Sequence, residues 1–432
     1  MNRVAKNAMW IIICRIVQSV LALVLNMLVA RFLGPSNFGI ITYASSLVAF
    51  VVPIMQLGLN NILVQELVND PKSEGKILGT SIGLSLLSSF FCIIGLSIFV
   101  LFIHKDDFVT ILVCILYSLI LVFQAIDYIE YWYQSKLLSK YISIISLIAY
   151  SLVSVYRIFL LVNGKSVYWF ALANALDYLI ISSLGIILYI RLGGNRLSFS
   201  GKLAKKLFSK SKHYILSAMM VTMFAQTDKI MINLMIDETN TGYYGAAVSC
   251  AGMTGFVFTA IIDSFRPTIF EGYKISMPTF ERRLKILYSI IIYFSLLQSI
   301  IITIFSKLII YILYGSDYMI ASSCLSIIVW YTTFSYVGAI RDIWLLANDL
   351  QRYLWKINLM GALLNVVLNY FLIRIVGING AAIASLITQI FTNVGLGFLI
   401  KPLCHNNELM LASLNIKYLK SAIHGLLKRD YN

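Results

Sequence analysis

The sequence has no HExxH pair, no DxD-type cluster and no Walker loop, so neither metal-assisted hydrolysis nor nucleotide-driven chemistry has its usual residues here. Only four histidines occur, His104, His213, His405 and His424, and all fall in expected loops, helix ends or the tail. A histidine relay inside the apolar part of the chain is thereby excluded. The six cysteines have neither CxxC nor Cys/His spacing. Cys14, Cys92, Cys114, Cys250 and Cys324 lie in apolar segments and Cys404 follows the last one, the pattern of reduced, buried filler. Charge is scarce too: Asp, Glu, Lys and Arg make up 12% of the chain, about half the share of an ordinary soluble domain. That leaves too little polar surface to cover a soluble globule of 432 residues.

What is abundant is apolar sequence. Hydrophobic residues reach 59% and the mean hydropathy is +0.85, which marks a multi-spanning membrane protein. The net charge of +15 does not make it a nucleic-acid binder, because a soluble basic patch would not sit between apolar runs of about 20 residues. A crossing helix needs about 20 mostly apolar residues. About twelve such segments are expected: 8–30, 39–59, 77–103, 108–132, 141–162 and 167–190 in the first half, then 214–236, 243–267, 284–313, 319–347, 354–375 and 380–400 in the second. The amino terminus has the basic start of a signal sequence but no small-residue cleavage site, so it is expected to be a retained first span.

The stretch 191–213 separates the halves. It carries Arg191, Arg196, Lys202, Lys205, Lys206, Lys210 and Lys212 and no acid. Lys and Arg in short loops resist translocation, so this stretch is expected to be cytoplasmic. With both termini inside, the same side collects Arg3, Lys6, Lys72, Lys76, Lys136, Lys140, Lys274, Arg282, Arg283, Lys285, Arg352, Lys356 and the basic tail, against Arg31, Lys105 and Lys165 opposite. The expected organisation is an all-α membrane protein of two six-helix lobes: 1–190, a basic linker 191–213, 214–403, and a cytoplasmic tail 404–432. No outer loop exceeds about a dozen residues, so no extracytoplasmic catalytic domain is expected.

Each half opens its second span with a similar turn. RFLGPSNFGIITYASSL follows the first span and MIDETNTGYYGAAVSCA follows the seventh, aligned with Gly39 on Gly245. Two six-span units repeated in parallel imply a central cavity. The turn ARFLGPSNFGIITYASSL resembles that of bacterial polysaccharide exporters of the Wzx type, in the multidrug/oligosaccharidyl-lipid/polysaccharide exporter superfamily. LYGSDYMIASSCLSI from Leu313 and GINGAAIASLI from Gly377 are similar to the same family's turns before spans ten and twelve. The resemblance covers about 7–400. It implies a V-shaped, MATE-like carrier that flips undecaprenyl-pyrophosphate-linked oligosaccharide, an O-antigen or similar repeat unit, to the periplasmic leaflet of the bacterial inner membrane. No cofactor is implied. Energy is expected from a proton or sodium gradient or from the substrate gradient, and the partners implied are membrane lipids and the polymerase and chain-length regulator of the pathway. A lipid-II flippase or a multidrug/cation antiporter of the same superfamily is the alternative.

Ionisable residues inside spans cost about 2.5–3.5 kcal/mol each on insertion scales, so they are paired or face water. Candidate pyrophosphate contacts are Arg15, Arg266, Arg341 and Lys229; candidate cavity or ion-coupling residues are Asp127, Asp177, Asp228, Asp263 and Arg157. Arg15 leads, because its span has no acid and guanidinium forks suit phosphate oxygens. The alternative for it is a structural ion pair with Asp127, Glu130 or Asp177. Asp263 and Arg266, three apart, can neutralise each other. Asp228 with Lys229 and Arg341 with Asp342 are sequence neighbours that project about 100° apart, so neither pair is expected to close on its own helix. Uncharged polar residues such as Asn365, Asn369, Gln389 and Asn393 either meet sugar hydroxyls or join helix to helix.

Overall fold

The computed structural model describes residues 3–421, with side chains described for Cys14 and from Val17 onward. Among the described residues every regular element is helical: α1 (Arg3–Met55), α2 (Leu63–Asn69), α3 (Glu74–Ile103), α4 (Phe108–Ser118), α5 (Ile120–Ile126), α6 (Ile129–Ser135), α7 (Ser139–Val162), α8 (Val167–Arg191), α9 (Gly201–Met235), α10 (Glu238–Gly252), α11 (Gly255–Ile275), α12 (Met277–Tyr314), α13 (Ala321–Ala347), α14 (Leu354–Val376), α15 (Ile378–Ile390), α16 (Leu396–Leu399) and α17 (Lys401–Ala412). Short 3-10 turns join several of them, and Phe391–Gly395 is a π-helix.

Ten stretches are long and apolar enough to cross a bilayer, and the bent pair α10 and α11, meeting at 40°, makes an eleventh. The first stretch, Val17–Met55, has 39 residues, about 58 Å of helix against a hydrocarbon layer of about 30 Å. Gly34 divides it. Its φ of 73° and ψ of 171° are non-helical, a conformation open to glycine but strained for other residues, and Pro35 follows. Counted as two on either side of Gly34, this stretch brings the candidate crossings among the described residues to twelve, the number expected from the sequence. Large apolar side chains stand exposed along them, among them Phe91 on α3, Val162 on α7, Ile304 on α12 and Ile375 on α14. In water such a surface would aggregate; against lipid it is solvated.

The described residues fall into two compact units, one within Met1–Asn233 and Asp237–Gly242, the other within Leu234–Ile236 and Tyr243–Asn432. In the first, the second half of α1 packs Tyr43, Ala44, Leu47 and Met55 against Val100 of α3, Val113 and Cys114 of α4 and Ala171 of α8. The α1 half before Gly34 contributes Val29 against Leu160 and Phe170. In the second unit, α11, α12, α13 and α17 enclose Phe258, Phe280, Leu287, Tyr288, Ile340, Trp344 and Leu409.

The turn after Gly34 meets the start of α10 by backbone contact. A Cβ on Gly39 would lie 1.7 Å from the Glu238 carbonyl oxygen, and one on Gly242 would lie 2.1 Å from the Pro35 carbonyl oxygen. The contacts are reciprocal between Gly39 and Gly242, so in the packing Gly242, rather than Gly245, is the counterpart of Gly39.

The basic stretch is not a free loop along its whole length. It is helical from Gly201, and its earlier part lies on α3, whose Gly75, Gly79 and Gly83 leave one face without side chains. Ser198 N–H donates to the Gly75 carbonyl at 3.2 Å and Ser200 N–H to Thr80 Oγ1 at 3.1 Å. Leu207 of α9 is fully buried in the first unit's core. Two cations join the sparsely charged side of the sequence tally: Lys307 in α12 and Arg374 in the last turn of α14 fall there by the same alternation. The excess on the other side survives them.

Candidate functional site

Ionisable residues occur within the spans of both units. In the first unit the fourth crossing is broken. Asp127 ends α5, and beyond it the chain bonds in tighter i+3 steps, Glu130 N–H to the Asp127 carbonyl at 2.9 Å and Tyr131 N–H to the Tyr128 carbonyl at 3.2 Å. Such breaks within crossings expose polar backbone and are tolerated where they serve a site. Asp127 Oδ1, Asp177 Oδ1 on α8 and Gln124 Oε1 are buried with no hydrogen-bond partner among the described residues. Asp127 is within electrostatic reach of Glu130 and Asp177, and Asp177 of Arg157. Arg157 on α7 donates to Asn174 Oδ1 at 2.8 Å and stacks 6.0 Å from the Tyr150 ring. Three crossings thus bring together three carboxylates and one guanidinium, a set rich in acceptors and short of donors.

Elsewhere in the first unit, Lys229 donates to Gln226 Oε1 at 3.1 Å on its own helix, beside buried Asp228. The side chain of Arg15 lies outside the described residues. In the second unit, Arg266 pairs with Asp263 at 3.2 Å, three residues apart on α11 with both side chains about half exposed. Arg341 corrects an expectation. Its guanidinium folds back onto the neighbouring Asp342, with Nη2 at 2.8 Å and Nε at 3.2 Å from Oδ1. The Cβ bonds do diverge by about 100°, yet the arginine side chain is long enough to turn its fork to the adjacent carboxylate. Nη1 donates to the Thr392 carbonyl at 2.8 Å and to Asn393 Oδ1 at 2.9 Å. Both acceptors belong to the π-helix, whose wider turn frees a carbonyl from the i−4 ladder. Asn393 donates to Gln389 Oε1, and Asn407 of α17 donates to the Val394 carbonyl at 2.8 Å. Four of the five guanidinium donors are therefore engaged inside the second unit.

The model of the polysaccharide biosynthesis protein family matches residues 4–272, more than half of the chain. The chain belongs to that family. No curated protein matches its sequence. Among solved structures, the lipid II flippase MurJ in an inward closed conformation is similar at a TM-score of 0.70 and 15% identity, over 97% of this chain and 92% of that one. An inward-facing multidrug resistance MATE family transporter of the MOP superfamily is similar at 0.67 and 14%, over 90% and 96%. The same superfamily's outward-facing MATE structure reaches 0.57 and 13%, over 96% of each chain. At such identities the likeness is one of fold: the family member has the helical membrane architecture of these transporters.

Other polar groups of this polysaccharide biosynthesis protein settle between the readings that the sequence leaves open, or lie beyond it. Asn365 and Asn369 are fully buried on α14, with Asn369 donating to Asn365 Oδ1 at 3.0 Å and Asn365 to Ser385 Oγ of α15 at 3.5 Å, so they join helix to helix. Tyr288 donates to Asn406 Oδ1 at 2.9 Å, which no spacing announces. Gly79 to Gly83 spells GxSxG, but it lies mid-helix with Ser81 buried rather than on the strand-to-helix turn a nucleophile needs. The spacing Gly75, Gly79, Gly83 was a legible signal for the close approach of the basic stretch.

Proposed function

We propose that this protein carries polyprenyl-pyrophosphate-linked oligosaccharide, the repeat unit of an O-antigen or similar surface glycan, from the cytoplasmic to the outer leaflet of the bacterial inner membrane by ion-coupled alternating access. The observation that carries this is membership of the polysaccharide biosynthesis protein family in a chain built of apolar crossings, with the acceptor-rich cluster of Asp127, Asp177 and Gln124 inside the first unit. Leaving a buried carboxylate without a partner costs several kcal/mol, so this cluster is suited to take up a proton or a sodium ion. Arg15, Arg266 and Lys229 are the proposed pyrophosphate contacts. The exposed Arg266 gives up little in leaving Asp263, since surface pairs are worth about 0–1 kcal/mol. Arg341 is better suited to holding α13 to the π-helix. Both termini and the stretch 191–213 face the cytoplasm, where the polymerase's lipid-linked substrate is made. The reading as a non-enzymatic carrier rests on the same family membership.

Deletion in a strain that makes a surface glycan tests this. Loss of the glycan with lipid-linked repeat units accumulating inside supports it, and restoration must fail with Asp127→Asn or Asp177→Asn at matched protein level. A normal glycan together with raised sensitivity to cationic drugs would favour the multidrug antiporter instead.

A further inference from the structure

A cavity of about 690 Å³ opens on the first unit, where the turn between α2 and α3 meets the first turns of α9. Its cationic wall is Lys76 from α3 with Lys202, Lys205 and Lys206 from α9, and Ser73, Ser200 and Ser209 stand between them. Two carboxylates also border it, and both are engaged. Glu66 pairs with Lys210 at 2.5 Å and with Lys206 at 3.9 Å, and Asp70 accepts from the Ser73 N–H at 3.3 Å. Lys76, Lys202 and Lys205 are exposed and form no ion pair among the described residues. The first N–H groups of α9 border the same space and add donors with no partner in their own helix.

Backbone contacts fix the depth of this cavity. Lys76 directly precedes the apolar run of α3, Ser200 is bonded to Thr80 in the second turn of that helix, and Ser211 Oγ donates to the Leu57 carbonyl just beyond the end of α1. Residues 200–211 therefore run across the ends of two crossings, at the level where apolar sequence gives way to polar. That is headgroup depth. Val68, Phe199 and Phe208, neighbours in sequence of the lining residues, stand exposed, and Phe199 lies against Gly83, two turns farther along the apolar run than Lys76.

We propose that this cavity binds the phosphate headgroup of an acidic bilayer phospholipid, with Lys76, Lys202 and Lys205 as its cations, the serine hydroxyls as further donors and the exposed apolar side chains against the acyl chains. Basic residues clustered beside a crossing attract anionic lipid. Here they converge on a concavity instead of spreading over a surface. The site stands apart from the transport proposal: it uses none of the residues assigned there.

The test is native mass spectrometry of the full chain in detergent with added phosphatidylglycerol or phosphatidylcholine. Wild-type protein is expected to retain phosphatidylglycerol in preference to phosphatidylcholine. The triple variant Lys76→Gln, Lys202→Gln, Lys205→Gln should lose about a hundredfold in affinity, from about fivefold per charge, while the corresponding triple Arg variant keeps binding and Lys212→Gln, outside the cavity, leaves it unchanged. Equal retention by wild type and the triple Gln variant, or an equal loss in Lys212→Gln, overturns the site. Displacement by inorganic phosphate at equal concentration would make it a free-anion site, and displacement by undecaprenyl pyrophosphate would make it a substrate dock; either result overturns the assignment to bilayer lipid.

Discussion

Replacing Arg341 with Ala separates a clamp from a substrate contact. Arg341 is 6% exposed and donates to two acceptors of the π-helix, the Thr392 carbonyl and Asn393 Oδ1, both in buried residues. A hydrogen bond from a charged group is worth about 1.5–3 kcal/mol, so stranding these two acceptors costs about 3–6 kcal/mol. Asp342 adds little, because its side chain is 48% exposed and rehydrates when its partner leaves. The sum agrees with the cost of about 3–5 kcal/mol for removing one partner of a buried pair. Equilibrium unfolding in mixed micelles should therefore show Arg341→Ala destabilised by about 3–5 kcal/mol, Arg341→Lys by an intermediate amount and Asp342→Asn by less than about 1 kcal/mol. If Arg341→Ala unfolds within about 1 kcal/mol of wild type and yet abolishes transport, the clamp is refuted and Arg341 is a substrate contact after all.

A cysteine placed at Lys205 should resist an impermeant thiol reagent added to intact cells and react once the membrane is opened; labelling of sealed cells would reverse the orientation. His405 on α17 bonds Glu281 at 2.8 Å and Glu408 at 3.2 Å, and chiefly the Glu281 contact raises its pKa above the ordinary 6.5. The folded chain thus holds this proton more tightly than the unfolded one, so the contact's contribution is complete below about 6.5 and is lost as pH rises through the folded-state value. Hydrogen exchange in 401–412 should quicken across that window in wild type and show no such step in His405→Gln. Gly39→Ala, whose Cβ would meet the Glu238 carbonyl at 1.7 Å, should cost about 1–3 kcal/mol, whereas Gly95→Ala, with open space around it, should be neutral or stabilising; equal melting shifts would remove the close approach from the account.

The crossings were legible because bilayer thickness imposes a length and a polarity on each, and no tertiary contact is needed to see them. The Asp263 and Arg266 pair was legible for a similar reason, since i,i+3 spacing on one helix closes by itself. What the sequence hides is whatever depends on a second element. Arg341 is a lone basic residue in an apolar run until a π-helix from another crossing supplies its acceptors. The break at Asp127 is equally silent, for no proline or glycine marks it between Ile120 and Ser135. The register of Gly39 on Gly242 went astray because aromatic and small neighbours recur three residues later at Gly245, and only the backbone contact distinguishes them.

The central claim is movement of a lipid-linked oligosaccharide between leaflets, and the most direct measurement is in proteoliposomes holding the purified chain and a polyprenyl-pyrophosphate oligosaccharide with a fluorescent sugar. With an inward-directed proton or sodium gradient imposed, an impermeant quencher added outside reports which leaflet holds the label. The account predicts redistribution of the label between leaflets that requires the protein, speeds up with one of the two gradients, and is lost in Asp127→Asn. Redistribution no faster than in protein-free vesicles under either gradient would contradict it.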